Sequence, residues 1–378
     1  MKRGGRSFRL RPLLVFWHRW FGLLSAVWLV LMAVTGSLIV FYDEGDALLN
    51  PDLRRVTPGA EWRPADEWVA AAREAFPDGY ASIIDIPERA DESVYMVVSD
   101  LPGAQNENLS DSAAVFVDPY TAQVLGYRWL DHAGFGRRYV MDILYRLHID
   151  LYLGDWMMWF LGLVALLWMI DHIPAAILSF PVLKKWAASF TIRRGVKGHK
   201  RVFDLHRASG VWLLPVTFML AVSGLYFNWY ETVTHTVDAV SPVTERYIFH
   251  APALDEPVYQ PPVGFTAAID SIDGEVDMIR LFPWSGLYEA RVYDERDIDM
   301  YGRRMVVVDG VEGGIVSDRH VTENSAGGVF LAWQYPLHSG KAFGWPGRLL
   351  IFFSGIALTT ICVTGVMIWW RKWRARNS

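Results

Sequence analysis

The sequence predicts a membrane α-helical bundle of four spans, built from an internal duplication, with two small α+β modules outside the bilayer. Three observations carry that prediction: four long apolar runs, cations gathered on one side of them, and histidines and glycines recurring at matched spacing in the two halves. Composition agrees. A chain of 378 residues fills two or three ordinary domains, and 52% hydrophobic with 20% charged residues excludes disorder, collagen and a coiled coil. Cys362 is the single cysteine, which excludes a disulfide framework, a four-cysteine iron–sulfur site and covalent haem attachment through CxxCH.

A helix needs about 20 apolar residues to cross a bilayer. Phe21–Tyr42, Ala208–Tyr230 and Leu349–Trp370 are uncharged and long enough. Met157–Phe180 is interrupted by Asp171-His172 and by Pro174, and its Met157–Ile170 core alone is short, so its polar pair is expected to be shielded by neighbouring helices. The first span lacks an A-x-A-like cleavage site and is read as a retained anchor.

Charge sets the orientation. Lys2, Arg3, Arg6, Arg9 and Arg11 precede the first span; Lys184, Lys185, Arg193, Arg194, Lys197, Lys200 and Arg201 lie between the second and third; Arg371, Lys372, Arg374 and Arg376 follow the fourth. All belong on one side, expected to be the cytoplasm. Residues 43–144 instead hold 19 acids against 8 Lys/Arg, and residues 231–330 hold 18 against 7, which places both long segments outside and both termini inside. The boundaries follow: 1–42, tail and first span; 43–144, first outside module; 145–183, second span; 184–203, inside loop; 204–230, third span; 231–334, second outside module; 335–378, fourth span and tail. The lipid bilayer is thus the first expected partner, and no nucleic acid is expected.

Within the outside segments, Trp62–Ala75 has helical spacing with Pro64 near the helix start. Ser93–Ser99 and Ala114–Val117 read as strands, and Asp118-Pro119-Tyr120-Thr121 as a turn. Arg304–Val308 followed by Asp309-Gly310 repeats the strand–turn pattern. Neither segment shows a Ser/His/Asp arrangement, a phosphate loop or a metal-ligand cluster, so no hydrolytic chemistry is expected there.

Self-comparison shows the duplication. His18-Arg19-x-x-Gly22-Leu23 recurs as His206-Arg207-x-x-Gly210-Val211, and Thr35-Gly36 and Ser223-Gly224 follow seventeen residues after the leading histidine. His148 lies 130 residues past His18 and His338 lies 132 past His206; Gly154 and Gly344 each follow six later. Helical periodicity puts Gly22, Ser25 and Gly36 on the face of His18, and Gly210 and Gly224 on the face of His206. Such a strip forms either ordinary close helix packing or a slot for a flat ligand.

The four repeated histidines fall into two layers. His18 and His206 precede their spans at the inner margin; His148 and His338 precede the second and fourth spans at the outer margin. Imidazoles so far apart cannot share one ion, but two on facing helices can ligate one iron from opposite faces of a porphyrin. Two layers then give two b-type haems, with His18 and His206 as axial ligands of the inner one and His148 and His338 of the outer. Headgroup contacts are the alternative for each histidine. His172 lies 24 residues after His148, about 36 Å along a continuous helix, and reaches the inner layer; lacking a counterpart, it is read as a spare ligand or a polar helix-end residue. His132, His199, His235, His250 and His320 are expected at the surface.

These residues resemble the PepSY-associated transmembrane family, iron-regulated bacterial inner-membrane proteins, over nearly the whole chain. The resemblance rests on His18-Arg19-Trp20-Phe21-Gly22-Leu23, on Leu147-His148 with Gly162-Leu163-Val164-Ala165-Leu166-Leu167-Trp168, on Phe203-Asp204-Leu205-His206-Arg207, and on Leu337-His338-Ser339-Gly340 with Phe343-Gly344-Trp345-Pro346-Gly347-Arg348. Val115-Phe116-Val117-Asp118-Pro119-Tyr120-Thr121 is similar to the strand–turn signature of a PepSY module. Within the family the chain is most similar to ferric-siderophore reductases, which implies two membrane haems, ligation by His18, His148, His206 and His338, and reduction of iron chelates in the periplasm.

The inside segments are short and basic, with no GxGxxG after a strand, so hydride is not expected to be taken directly from a nicotinamide. Electrons are expected from a quinol or a separate cytoplasmic reductase, and haems at both margins call for a deeper layer or a bridging aromatic. Tyr226, Trp229, Tyr230, Trp333 and Tyr335 are candidates for lining a chelate-docking cavity, or for an interfacial aromatic belt. A haem-free scaffold that binds peptide or restrains a peptidase is the rival; a siderophore permease suits four spans with few internal charges poorly.

Overall fold

The computed structural model describes residues 10–100, 112–130 and 134–377. Lys2, Arg3, Arg6, Arg9 and His132 lie outside the described residues. Four helices are long and apolar enough to cross a membrane: span 1 (Leu10–Ile39), span 2 (Asp155–Ser179), span 3 (Gly198–Asn228) and span 4 (Gly344–Asn377). With the short helices beside them they form one compact unit, residues up to Phe41, Leu144–Thr236 and Gln334 onward; Tyr42–Ile143 and Val237–Trp333 form the other.

Span 1 packs on spans 2 and 4, and span 3 packs on the same two, so spans 1 and 3 stand diagonally. Small residues permit close approach. Gly355 of span 4 meets Ser37 and the Ala33 backbone of span 1, and Gly162 of span 2 receives the Trp229 indole, whose Nε1 donates to the Trp159 carbonyl. Spans 1, 3 and 4 begin earlier than their apolar runs, at Leu10, Gly198 and Gly344, because the segments ahead of those runs continue the same helices. His18 and His206 therefore lie inside the spanning helices, each at the ninth residue, and do not precede them. Pro174 and Pro215 are absorbed without ending their helices, as neighbouring spans allow.

His148 does not share a helix with span 2. It sits on Val140–Ile149, which ends in left-handed Leu151 and Tyr152 (φ 53° and 59°) before Gly154 starts the span at φ 68°. His338 sits likewise on Gln334–Ser339, cut off by Gly340 at φ 76° and Gly344 at φ 55°. Glycine tolerates these dihedrals without the Cβ penalty, which accounts for the glycine six residues past each histidine. The break also overturns the continuous-helix distance from His148 to His172.

The second unit is a single eight-stranded antiparallel sheet in the order β4-β3-β2-β1-β5-β6-β7-β8. Its strands are β1 (Tyr80–Asp85), β2 (Val94–Ser99), β3 (Ala113–Val117), β4 (Val124–Trp129), β5 (Val276–Phe282), β6 (Leu287–Val292), β7 (Arg304–Asp309) and β8 (Ile315–His320). The two outside segments, read as separate modules, each supply four consecutive strands and join edge to edge where Ile84 pairs with Ile279. Both isoleucines are fully buried. Pairing β1 with β5 removes two apolar edges that separate modules would expose.

Helix Ala65–Ala75 covers one sheet face with Trp68 and Ala72, and Phe265–Asp270 does the same in the other half with Phe265 and Ala268. Pro64 precedes the first of these helices in extended geometry, so that helix starts three residues later than its apolar spacing suggests. Leu53 packs on Ala114 and Phe116 behind the sheet, which buries β3 on both faces. The two turn aspartates act alike: Asp118 Oδ1 accepts from the Tyr120 amide at 2.8 Å, and Asp309 Oδ1 from the Val311 amide at 2.8 Å, the local bond that favours aspartate in turns.

Candidate functional site

The spans bring the four repeated histidines together in two pairs. His18 of span 1 and His206 of span 3 have ring centres 6.2 Å apart with 56° between ring planes. His148 and His338, on the short helices ahead of spans 2 and 4, have ring centres 6.1 Å apart at 62°. Both outer-helix histidines reach to the far ends of the diagonal spans: His148 to Thr35 of span 1, His338 to Ser223 of span 3. Each contact lies seventeen residues beyond the first-layer histidine of that span, which separates the layers by about 26 Å along the helix.

The hydrogen bonds determine which ring nitrogen carries the proton. His18 Nδ1 lies 2.8 Å from Asp171 Oδ2, and His206 Nδ1 lies 3.0 Å from the Ile361 carbonyl. These oxygens only accept, so both Nδ1 atoms donate. Thr35 spends its hydroxyl hydrogen on the Leu31 carbonyl at 2.7 Å, and Ser223 spends its own on the Met219 carbonyl at 2.9 Å. Their oxygens must then accept from His148 Nδ1 at 3.0 Å and His338 Nδ1 at 2.7 Å. Thr364, bonded to the Thr360 carbonyl, supports His206 Nδ1 in the same way at 3.2 Å. All four rings thus hold a lone pair on Nε2, which makes no hydrogen bond within the described residues.

That is the pattern of metal-ligating histidines, whose second nitrogen is anchored by a carboxylate, carbonyl or hydroxyl. A transition metal sits about 2 Å from an imidazole nitrogen, itself about 1.1 Å from the ring centre, so two rings bracketing one ion have centres about 6 Å apart. Both pairs meet that separation. Rotation of either ring about its metal–nitrogen axis leaves the separation unchanged, so the interplanar angles are compatible as well. Space is present beside the first layer: apart from the adjoining residues and backbone of the same helix, nothing lies within 4 Å of where a Cβ would stand on Gly22 or Gly210. At the His18–His206 pair, residues and room fit a porphyrin iron held between two imidazoles; at the His148–His338 pair the ring separation fits it. Among the described residues no group of three or more His, Cys, Asp or Glu side chains converges as a protein-only metal site requires.

The glycine strips divide their work. Gly22 and Gly210 border open space, whereas a Cβ on Gly36 would stand 2.8 Å from His148 Cε1 and one on Gly365 of span 4 would stand 3.2 Å from His206 Cε1. Gly224 meets only Ala165, at 3.8 Å. Between the layers Trp28 packs edge-on against Phe160 with ring centres 5.2 Å apart.

His172 stands apart from the two pairs: its Nδ1 donates to the Trp168 carbonyl at 2.7 Å, and its Nε2, unlike theirs, has a polar neighbour within the described residues, Thr217 Oγ1 at 3.0 Å. His320 departs from its expected surface place: it is buried, with Nε2 3.1 Å from Asp297 Oδ1 and Nδ1 2.7 Å from Thr322 Oγ1. His235 and His250 are exposed, and His199 is half-buried. Of the candidate cavity aromatics, Tyr226 packs on Tyr230 and Tyr335 on Phe227, while Trp229 packs back on Trp159. Phe227, not singled out from sequence, lies edge-on to the His338 ring at 5.2 Å.

The fold and these pairs define a four-span membrane protein with imidazoles paired at two depths of its bundle. The PepSY-associated TM region matches residues 15–372, and the chain belongs to that family. No curated protein matches it.

Proposed function

We propose that the chain is a bacterial inner-membrane reductase that holds two b-type haems, passes electrons across the bilayer, and reduces Fe(III)-siderophore in the periplasm to release Fe(II). The two imidazole brackets, each with its Nδ1 anchored and its Nε2 free, carry this reading. When bound, haem iron supplies a one-electron couple at each depth. His18 and His206 hold the inner group; His148 and His338 hold the outer one. Thr35, Ser223, Thr364 and Asp171 keep the rings in the ligating tautomer, Gly22 and Gly210 leave room beside the inner pair, and the surrounding spans exclude water. Trp28 and Phe160 offer an aromatic bridge between the layers. The basic inner flanks and acidic outer segments support the orientation.

Hydroxamate or catecholate oxygens hold Fe(III) far more firmly than Fe(II), so one added electron loosens the metal from its chelate. Electrons are to be supplied by a quinol or by a separate cytoplasmic reductase. Purified protein is expected to show reduced b-type bands with about two haems per chain, and dithionite-reduced protein to reoxidise when a ferric chelate is added. A colourless preparation would favour the peptide-binding scaffold instead. Gly36→Val tests the packing behind His148: it is expected to weaken outer-haem retention by about tenfold or more, the scale of damage seen when the support of a metal ligand is disturbed, read as haem per chain after detergent washing.

A further inference from the structure

Resting on that reading, we propose that Asp171 holds the inner haem at a lower reduction potential than the outer one and thereby gives electron flow its outward direction. Three of the four imidazoles give their Nδ1 proton to neutral acceptors: the Ile361 carbonyl with Thr364 for His206, Thr35 for His148, Ser223 for His338. His18 alone gives it to a carboxylate, Asp171 Oδ2, at 2.8 Å. Asp171 is 5% exposed, and its Oδ1 is buried without a hydrogen-bond partner among the described residues. No Lys or Arg among them pairs with it either; its ion-pair partner is the His18 ring.

A carboxylate in this position does two things that a hydroxyl cannot. It draws the Nδ1 proton toward itself and makes Nε2 the stronger electron donor to iron. Its charge, little screened at this burial, favours the ferric state, which carries one more positive charge than the ferrous. Both effects lower the potential of the layer that receives electrons first. Orienting the ring alone would not call for it: serine and threonine do that task in the other layer, without an unpartnered buried oxygen and its desolvation cost.

Redox titration of the full-length haem-loaded protein, followed in the visible bands, tests this. Asp171→Asn is expected to raise the lower midpoint by at least a tenfold change in the reduction equilibrium, about 59 mV for one electron, and to leave the higher one in place. Asp171→Ser, which installs the hydroxyl used in the other layer, carries the same expectation should the amide fail to fold, and Asp171→Glu is expected to return most of the shift. The shifted couple should be the one that survives in His338→Ala protein. Unmoved potentials with both haems retained overturn the inference and leave the di-haem reading intact. So does an equal shift on Ser223→Ala, since charge would then not be the cause. Native protein without haem overturns the functional reading itself.

Discussion

His338→Ala is expected to cut low-spin haem from about two per chain to about one and to bring ferric-chelate reduction to background, while the remaining haem keeps its spectrum. The His338 ring stands 6.1 Å from that of His148 and is anchored to Ser223, in a layer that shares no ligand with His18 and His206. Removing one imidazole leaves its layer with a single protein ligand and does not touch the other. His148→Ala should give the same loss, and the double variant should be no worse than either single one, because two residues that serve one bond pair are non-additive. A chain lacking both His338 and His206 should hold no low-spin haem. Haem counting with reduced-minus-oxidised spectra decides the matter: if His148→Ala and His338→Ala remove different haems, the pairing is wrong whatever the distances.

The pairing was legible because duplicated spacing reports depth. A histidine seventeen residues before a Thr-Gly or Ser-Gly pair in both halves stands at an equivalent depth in both, whatever its neighbours. What those pairs do was not legible. Thr35 and Ser223 served only as spacing markers, yet they are the acceptors that set the tautomer of His148 and His338. Their partners lie 113 and 115 residues away, beyond any local periodicity. Asp171 was visible as a charge in an apolar run, and a buried charge in a span calls for a partner. The sequence does not name that partner, because it lies on span 1, 153 residues back. Gly365 and Phe227 carried no signal, having no counterpart at the compared positions.

The three strands read from sequence, β2, β3 and β7, lie within a residue of their expected bounds; the other five strands and the way the halves join were not read. Two acidic segments far apart in the chain read as two separate modules, and only the pairing of β1 with β5, Ile84 opposite Ile279, shows them sharing one sheet. His320 was misplaced for a similar reason. It closes a strand whose other residues are mostly exposed, so alternation gives no warning that its ring turns inward to Asp297.

Arg128→Met is expected to destabilise the sheet unit by roughly 3–5 kcal/mol, the usual cost of stranding one member of a buried ion pair. Arg128 and Asp46 are each about 1% exposed at the side chain, joined by Nη1–Oδ1 at 2.7 Å and Nη2–Oδ2 at 3.1 Å. The same guanidinium donates to the Arg138 carbonyl at 2.9 Å and lies over the Phe116 ring at 5.3 Å, with Asp142 Oδ2 3.3 Å from its Nε. Methionine would fill most of the volume but leave the Asp46 carboxylate without its bidentate partner, held among the described residues by Asn50 at 2.8 Å and, less closely, Arg54 at 3.4 Å. For a unit of this size the loss corresponds to a melting shift on the order of 10 °C, read by tryptophan fluorescence of the full-length chain. Adding Asp46→Leu should recover part of that loss, because the cost lies in the stranded charge more than in the lost bond. A double variant less stable than Arg128→Met alone would show instead that Asp46 is secured by Asn50 and Arg54, and that the arginine acts chiefly through Phe116 and the 138 carbonyl.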